Sequence, residues 1–194
     1  MNLYVITSEV ELPNEHRLID RLFELGMERL HIRKPTMDRE TMCRYLSALP
    51  EKWHSRLVLH DHHELASEFE VGGIHLNRRN PIAIKPFGGS VSRSCHSLDE
   101  LGSLDTDYCF LSPLFDSLSK QGYHSAFLEE ELSVARDRGW INNRVVALGG
   151  ITPESLSKVK EWGFGGVAVL GYLWESDEVE KRYLSLVQRI SEQG

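Results

Sequence analysis

A closed α/β barrel of eight repeated units is the fold that this sequence predicts, and three observations carry the prediction. Eight short runs rich in apolar and β-branched residues recur along the 194 residues, and the stretches between several of them carry helical spacing. Polar, chemistry-bearing residues gather just beyond the ends of those runs. Parallel strands covered on both faces read as apolar runs of this kind. Right-handed β–α–β crossovers close on themselves at eight, and such barrels carry their chemistry where each strand gives way to the next loop. A doubly wound open sheet is the other arrangement of the same units.

In order, the first run is NLYVIT (2–7). It is followed by HRLIDRLFELG, whose Leu18, Ile19, Leu22 and Phe23 share one helical face and whose Gly26 marks the stop. RLHIR (29–33) precedes DRETMCRYLSAL, with Asp38 as its N-cap. RLVLHD (56–61) and GGIHLN (72–77) come next, then NRRNPIAIKPFGG, where two prolines in six residues leave no room for a helix of normal length. The fourth crossover is therefore predicted as a loop or a single turn, which suits a chain short for a (β/α)8 TIM barrel. The remaining strand runs are GSVSRS (89–94), DYCFLS (107–112), RVVALG (144–149) and GGVAVLG (165–171). Helices are predicted in TPESLSKVKEWG, with Thr152 as N-cap, Pro153 at the first helical position and Gly163 past the end, and in EVEKRYLSLVQRI. The letters GFGGVA (163–168) imitate a dinucleotide fingerprint but lead into a strand instead of following one, so they read as a helix stop and a tight turn.

Apolar residues make 41% of the chain and charged residues 26%, with a net charge of −7. That balance argues against a general nucleic-acid or acidic-membrane surface and leaves room for a local basic pocket. No apolar run reaches membrane-spanning length, and the first residues lack the basic start of a signal peptide. Cys43, Cys95 and Cys109 show no CxxC spacing, which points to neither a disulfide framework nor a structural zinc site. The expectation is a single domain over 1–194, cytoplasmic, acting on a small molecule with no nucleic acid and no membrane; a homo-oligomer stays open.

The strand ends collect Arg33 and Lys34, His60 and Asp61, Asn77 with Arg78 and Arg79, Ser94 with Cys95 and His96, then SPLFDSLSKQG, Gly149-Gly150 and Gly171. Glycines after the seventh and eighth strands, with a helix start behind them, suit backbone binding of a phosphate. The plainer reading of Gly149-Gly150 is a tight turn. The run His60, Asp61, His62, His63 invites a metal, yet strand alternation lets at most two of these side chains converge, and a solvated loop is the simpler outcome. Cys95 and the tryptophans Trp53, Trp140, Trp162 and Trp174 read as packing residues. Arg78 and Arg79 read either as an anion site or as a surface charge pair.

Taken in order, LYVIT, LHIRK, LVLHDHHELA with GGIHLN, RSCHSLDEL, DYCFLSPLFDSLSK, VVALGGIT and GGVAVLGYL resemble the thiamin phosphate synthase/TenI family of small TIM barrels over nearly the whole chain. The resemblance implies binding of a thiazole phosphate. In the synthase branch that molecule is joined to a pyrimidine pyrophosphate with Mg²⁺ and release of pyrophosphate. In the TenI-type branch a thiazole carboxylate phosphate is isomerised by proton transfer, or the protein acts as a regulator. It implies that Gly149, Gly150 and Gly171 hold the thiazole phosphate, that Arg33 meets the pyrophosphate and that Asp61 is one Mg²⁺ ligand. Ser94, Ser117, Ser119 and Lys120 match substrate contacts, and His96 matches the acid/base of the tautomerase branch.

The departures bear on the reaction. The synthase pattern of glutamine, arginine and lysine on alternate positions of strand two reads here as His31, Arg33 and Pro35, with Lys34 out of register and so on the opposite face. His60 replaces an asparagine, Asn80 a second carboxylate and Gly171 a serine. His60 and Arg78 join the expected substrate contacts. The weakened cation site points to TenI-like proton transfer, with the synthase and a non-catalytic thiazole phosphate binder as alternatives. Mg²⁺ is expected only under the synthase reading.

Overall fold

The computed structural model describes residues 1–116 and 126–193. Eight strands, β1 (Asn2–Ile6), β2 (Leu30–Ile32), β3 (Leu57–Leu59), β4 (Gly73–Leu76), β5 (Ser90–Cys95), β6 (Tyr108–Leu111), β7 (Val145–Leu148) and β8 (Gly166–Val169), form one closed barrel in chain order. Each pairs in parallel with its neighbours, and β8 closes on β1 through Asn2 against Gly166. The open-sheet alternative is thereby ruled out.

The helices are α1 (Glu15–Glu24), α2 (Arg39–Ser47), α3 (Glu129–Asp137), α4 (Leu156–Glu161), α5 (Gly171–Trp174) and α6 (Val179–Ser191). Ile19, Leu22 and Phe23 of α1 are buried, as their spacing requires. Asp38 caps α2 by accepting from the Thr41 N–H at 2.8 Å. No helix lies between β4 and β5, so the fourth crossover is trimmed as expected. The third and fifth are trimmed too, each reduced to a short 3₁₀ turn, His63–Ala66 and Asp99–Ser103.

One helix start differs from the sequence expectation. α4 begins at Leu156, because Thr152 and Ser155 form a closed turn first: the Thr152 N–H donates to Ser155 Oγ, whose hydroxyl donates back to the Thr152 carbonyl. A serine hydroxyl bonded locally to backbone competes with the helix for those groups.

The core lies in two zones. The larger, between strands and helices, includes Leu22, Ile32, Leu59, Leu111 and Leu173. The smaller, inside the barrel, joins Ile6, Tyr108, Phe110, Val146 and Ala168. Trp162 stacks on Phe115 and Trp53 on Phe23, while buried Trp174 donates from Nε1 to the Ile6 carbonyl at 2.7 Å. Cys95 is fully buried, a packing residue as expected. Among the described residues no helix is long and apolar enough to cross a membrane.

Candidate active site

Strand alternation turns His31, His60 and His75 into the barrel. His31 on β2 touches Phe110 on β6 with ring centroids 4.6 Å apart, and these strands are not sheet neighbours, so the contact runs through the interior. His31 Nδ1 lies 2.9 Å from His60 Nε2, and its Nε2 lies 2.9 Å from the Tyr108 hydroxyl. His60 and His75 stack with centroids 4.1 Å apart. His75 is held at both nitrogens, Nδ1 by Ser92 Oγ at 2.8 Å and Nε2 by Ser94 Oγ at 2.9 Å.

All three histidines are buried. Burial is the main force that lowers their pKa values, and neighbouring cations add to it. Next to burial, His31 feels His75 and Arg29; His60 feels His75, His31 and Arg33. His75, beside His63 and Arg33, is brought down to about 3. The cluster is neutral at physiological pH.

At the mouth above it, the polar residues pair with one another. Arg33 Nη1 lies 2.6 Å from Glu9 Oε1, while the Arg33 N–H donates to Thr7 Oγ1. Asp61 receives two bonds from Arg79, Nε to Oδ1 at 3.0 Å and Nη2 to Oδ2 at 3.2 Å, and a third from Asn80 Nδ2 at 3.2 Å. Asn77 and Asn80 both donate to the His60 carbonyl. Arg78 is exposed. His96 is exposed as well, and its Nδ1 donates to the Ser112 carbonyl at 3.0 Å, which leaves Nε2 as the basic nitrogen.

Lys34 points away from the barrel, as its shifted register requires. It is fully buried against Glu15, 2.7 Å from Oε2, and donates to the Val10 carbonyl. Burial lowers the lysine pKa and raises that of the glutamate, and each holds the other's charge against that pull. The His60–His63 run corrects another expectation. It is not a solvated loop: His60, Asp61 and His63 are buried, and His62 donates from Nε2 to the Met37 carbonyl. Its members disperse to separate partners because each neighbour faces a different side.

Gly149 and Gly150 follow β7 with φ of +101° and +63°, values that side chains rarely adopt. The segment after β6 lies directly on them. The Phe115 N–H donates to the Gly149 carbonyl, a Cβ on Gly149 would sit 3.0 Å from Pro113 Cα, and one on Gly150 would run into the Asp116 carbonyl. The bare backbone is thus demanded by packing, whatever else it binds. Gly171 opens α5 just past the neighbouring strand, β8. Ser117, Ser119 and Lys120 lie outside the described residues.

Residues 3–173 match the TMP-TENI family, described as thiamine monophosphate synthase. The chain belongs to that family. A solved thiamine phosphate pyrophosphorylase from Bacteroides thetaiotaomicron is similar at 36% identity, covering 100% of both chains with a TM-score of 0.89. The thiamine-phosphate synthase of Cronobacter sakazakii is 26% identical over 189 residues, 92% of this chain and 87% of that protein. That of Actinobacillus pleuropneumoniae is 28% identical over 137 residues, 66% of this chain and 61% of that protein.

Magnesium, which the thiamine monophosphate synthase resemblance implies, can be tested against this geometry. The ion takes oxygen ligands, usually one or two carboxylates with substrate phosphates. Both oxygens of Asp61 are engaged by a guanidinium, and Asn80, at the position of the second carboxylate, turns an N–H donor toward Asp61. The residues present do not fit Mg²⁺.

Sequence reasoning singled out His60 but missed its partners. His31 and His75 carried the signal: each takes an inward position on a strand beside β3, and adjacent inward histidines on three consecutive strands must meet.

Proposed function

We propose that this chain joins thiazole phosphate to hydroxymethylpyrimidine pyrophosphate, forming thiamin phosphate and releasing pyrophosphate. The names of the relatives support this reaction over isomerisation. The observation that carries the reading is the likeness over the full length to a thiamine phosphate pyrophosphorylase at 36% identity, and the Asp61–Arg79 pair sets a guanidinium where the family pattern would hold a divalent cation. In this reading Arg33 and Arg78 neutralise the pyrophosphate as it leaves with the bonding electrons. Guanidinium forks match phosphate oxygens in pairs, and preorganised charge at a leaving group is a large source of rate. The backbone around Gly149, Gly150 and Gly171 takes the thiazole phosphate at the rim. Ser94 lies at the floor, together with the ring of His60.

The test is thiamin phosphate formation with Mg²⁺ and with the metal chelated. Product in both conditions, reduced at least tenfold in Arg78→Ala, is expected. Product only with Mg²⁺ would overturn the arginine reading, and no product in either would overturn the synthase reading.

His96 favours a second reading. Its fixed tautomer and exposed Nε2 suit proton transfer on a thiazole carboxylate phosphate, the TenI-type reaction. Isomerisation of that substrate alone, abolished in His96→Gln, would establish it. Binding of thiazole phosphate with neither turnover would leave a regulatory binding protein.

A further inference from the structure

We propose that His31, His60 and His75 bind one divalent transition-metal ion of the zinc class inside the barrel, with an open coordination position beside Ser94. One nitrogen from each of the three rings lies within 4.8 Å of the others. The rest of the hydrogen bonding orients them as ligands. Tyr108 holds Nε2 of His31 and leaves Nδ1 facing His60 Nε2. Ser92 holds Nδ1 of His75, and Nε2 bonds Ser94 Oγ at 2.9 Å, a contact that the ion would replace. Hydroxyl groups that fix the far nitrogen of an imidazole set its tautomer and aim the near one, the usual support of metal-bound histidine.

The donor set selects the ion. Three imidazoles without a carboxylate suit zinc, cobalt, nickel or copper and disfavour magnesium or calcium. Three protein ligands with a fourth position open is the arrangement of catalytic zinc sites. Nitrogens around a tetrahedral ion stand roughly 3.3 Å apart, from bonds of about 2.0–2.1 Å. The His31–His60 pair, at 2.9 Å, needs to open by only a fraction of an ångström, and His75 to close in. Burial already keeps the rings neutral, so the ion displaces few protons. Two arginines oppose it, and both have partners: Arg33 pairs with Glu9, and Arg29 donates to Ser90. The cluster includes His60, the residue before Asp61, but uses no group of the Asp61–Arg79 pair and does not rest on the synthase reading.

The experiment strips the full chain with a chelator, then titrates Zn²⁺ by calorimetry and Co²⁺ by visible absorption, without any substrate. One equivalent is expected, with an intense tetrahedral cobalt band and a higher melting temperature in Zn²⁺. His60→Asn and His75→Gln should each weaken affinity at least 100-fold, and Ser92→Ala about tenfold. His16→Ala and His62→Ala should leave it unchanged. Circular dichroism checks folding; should the histidine variants fail to fold, Ser92→Ala and the cobalt band decide. Absence of stoichiometric binding in the folded wild type overturns the proposal. So does binding that survives His60→Asn and His75→Gln, or binding lost in His62→Ala. Activity enters none of these readouts, so the metal site and the synthase reaction stand or fall separately.

Discussion

The two halves of the barrel interior differ in kind. On the side of β2 to β5 the inward positions carry His31, His60, His75, Ser92 and Ser94, tied together by hydrogen bonds. On the side of β6 to β1 they carry Tyr108, Phe110, Val146, Ala168 and Ile6, an apolar cluster that meets the polar half where the Tyr108 hydroxyl bonds His31 and the Phe110 ring packs on it. Apolar side chains would fill the first half at least as stably, because burying polar groups gains little even when every hydrogen bond is made. A polar half kept in the interior of a barrel, directly below its loops, is the half on which the proposed metal site is built. The apolar half holds it in place.

The contrast can be broken most forcefully with acid. In the metal-free protein the folded-state pKa values of His31, His60 and His75 lie below the ordinary 6.5. As pH falls below 6.5 the unfolded chain takes up protons that the folded one refuses. Stability is thus full above 6.5 and is lost on the way down, for His75 until its folded value of about 3. Each group contributes a slope of at most about 1.4 kcal/mol per pH unit, about half of that at pH 6.5 where the unfolded histidine is half protonated, so three together approach about 4 kcal/mol per unit only about a unit lower. Urea unfolding from pH 7 to 5 measures it, and a flat profile would remove the neutral cluster. Phe110→Ala, on the other side, should lose about 3–5 kcal/mol at any pH in that range. A loss below about 1 kcal/mol would show that the apolar half is not the scaffold. His31→Gln should lose roughly 1–3 kcal/mol by stranding the Tyr108 hydroxyl and His60, and should flatten the acid slope by about a third. Ile6→Val sharpens the comparison at its small end, with a loss of about 0.5–1.5 kcal/mol and an unchanged acid slope.

Much of this was legible in the chain. The alternation of apolar runs and helical patterns located all eight strands, and the prolines at 81 and 86 marked the trimmed crossover. The one-residue slip of Lys34 correctly foretold a side chain facing away from the site, although not its burial against Glu15. What eluded the sequence was pairing. Asp61 matched a cation ligand through the resemblance alone, with Arg78 and Arg79 near the position, and only the fold shows Arg79, eighteen residues on, bonded directly to it. The packing that keeps Gly149-Gly150 bare was likewise hidden, because the segment laid across them belongs to another unit.

The sequence by itself determined the order of the units, the side of the strand each residue faces and the end of the barrel at which the polar residues gather, since all of these follow from a period of two along a strand and from where a strand stops. Only the tertiary structure decided that three histidines spaced twenty-nine and fifteen residues apart share one interior, and that Lys34, Arg33 and Arg79 pair with Glu15, Glu9 and Asp61. Closure of the sheet sets side chains from different strands a few ångströms apart, and that distance is a property of the assembled barrel, absent from any one segment of the chain.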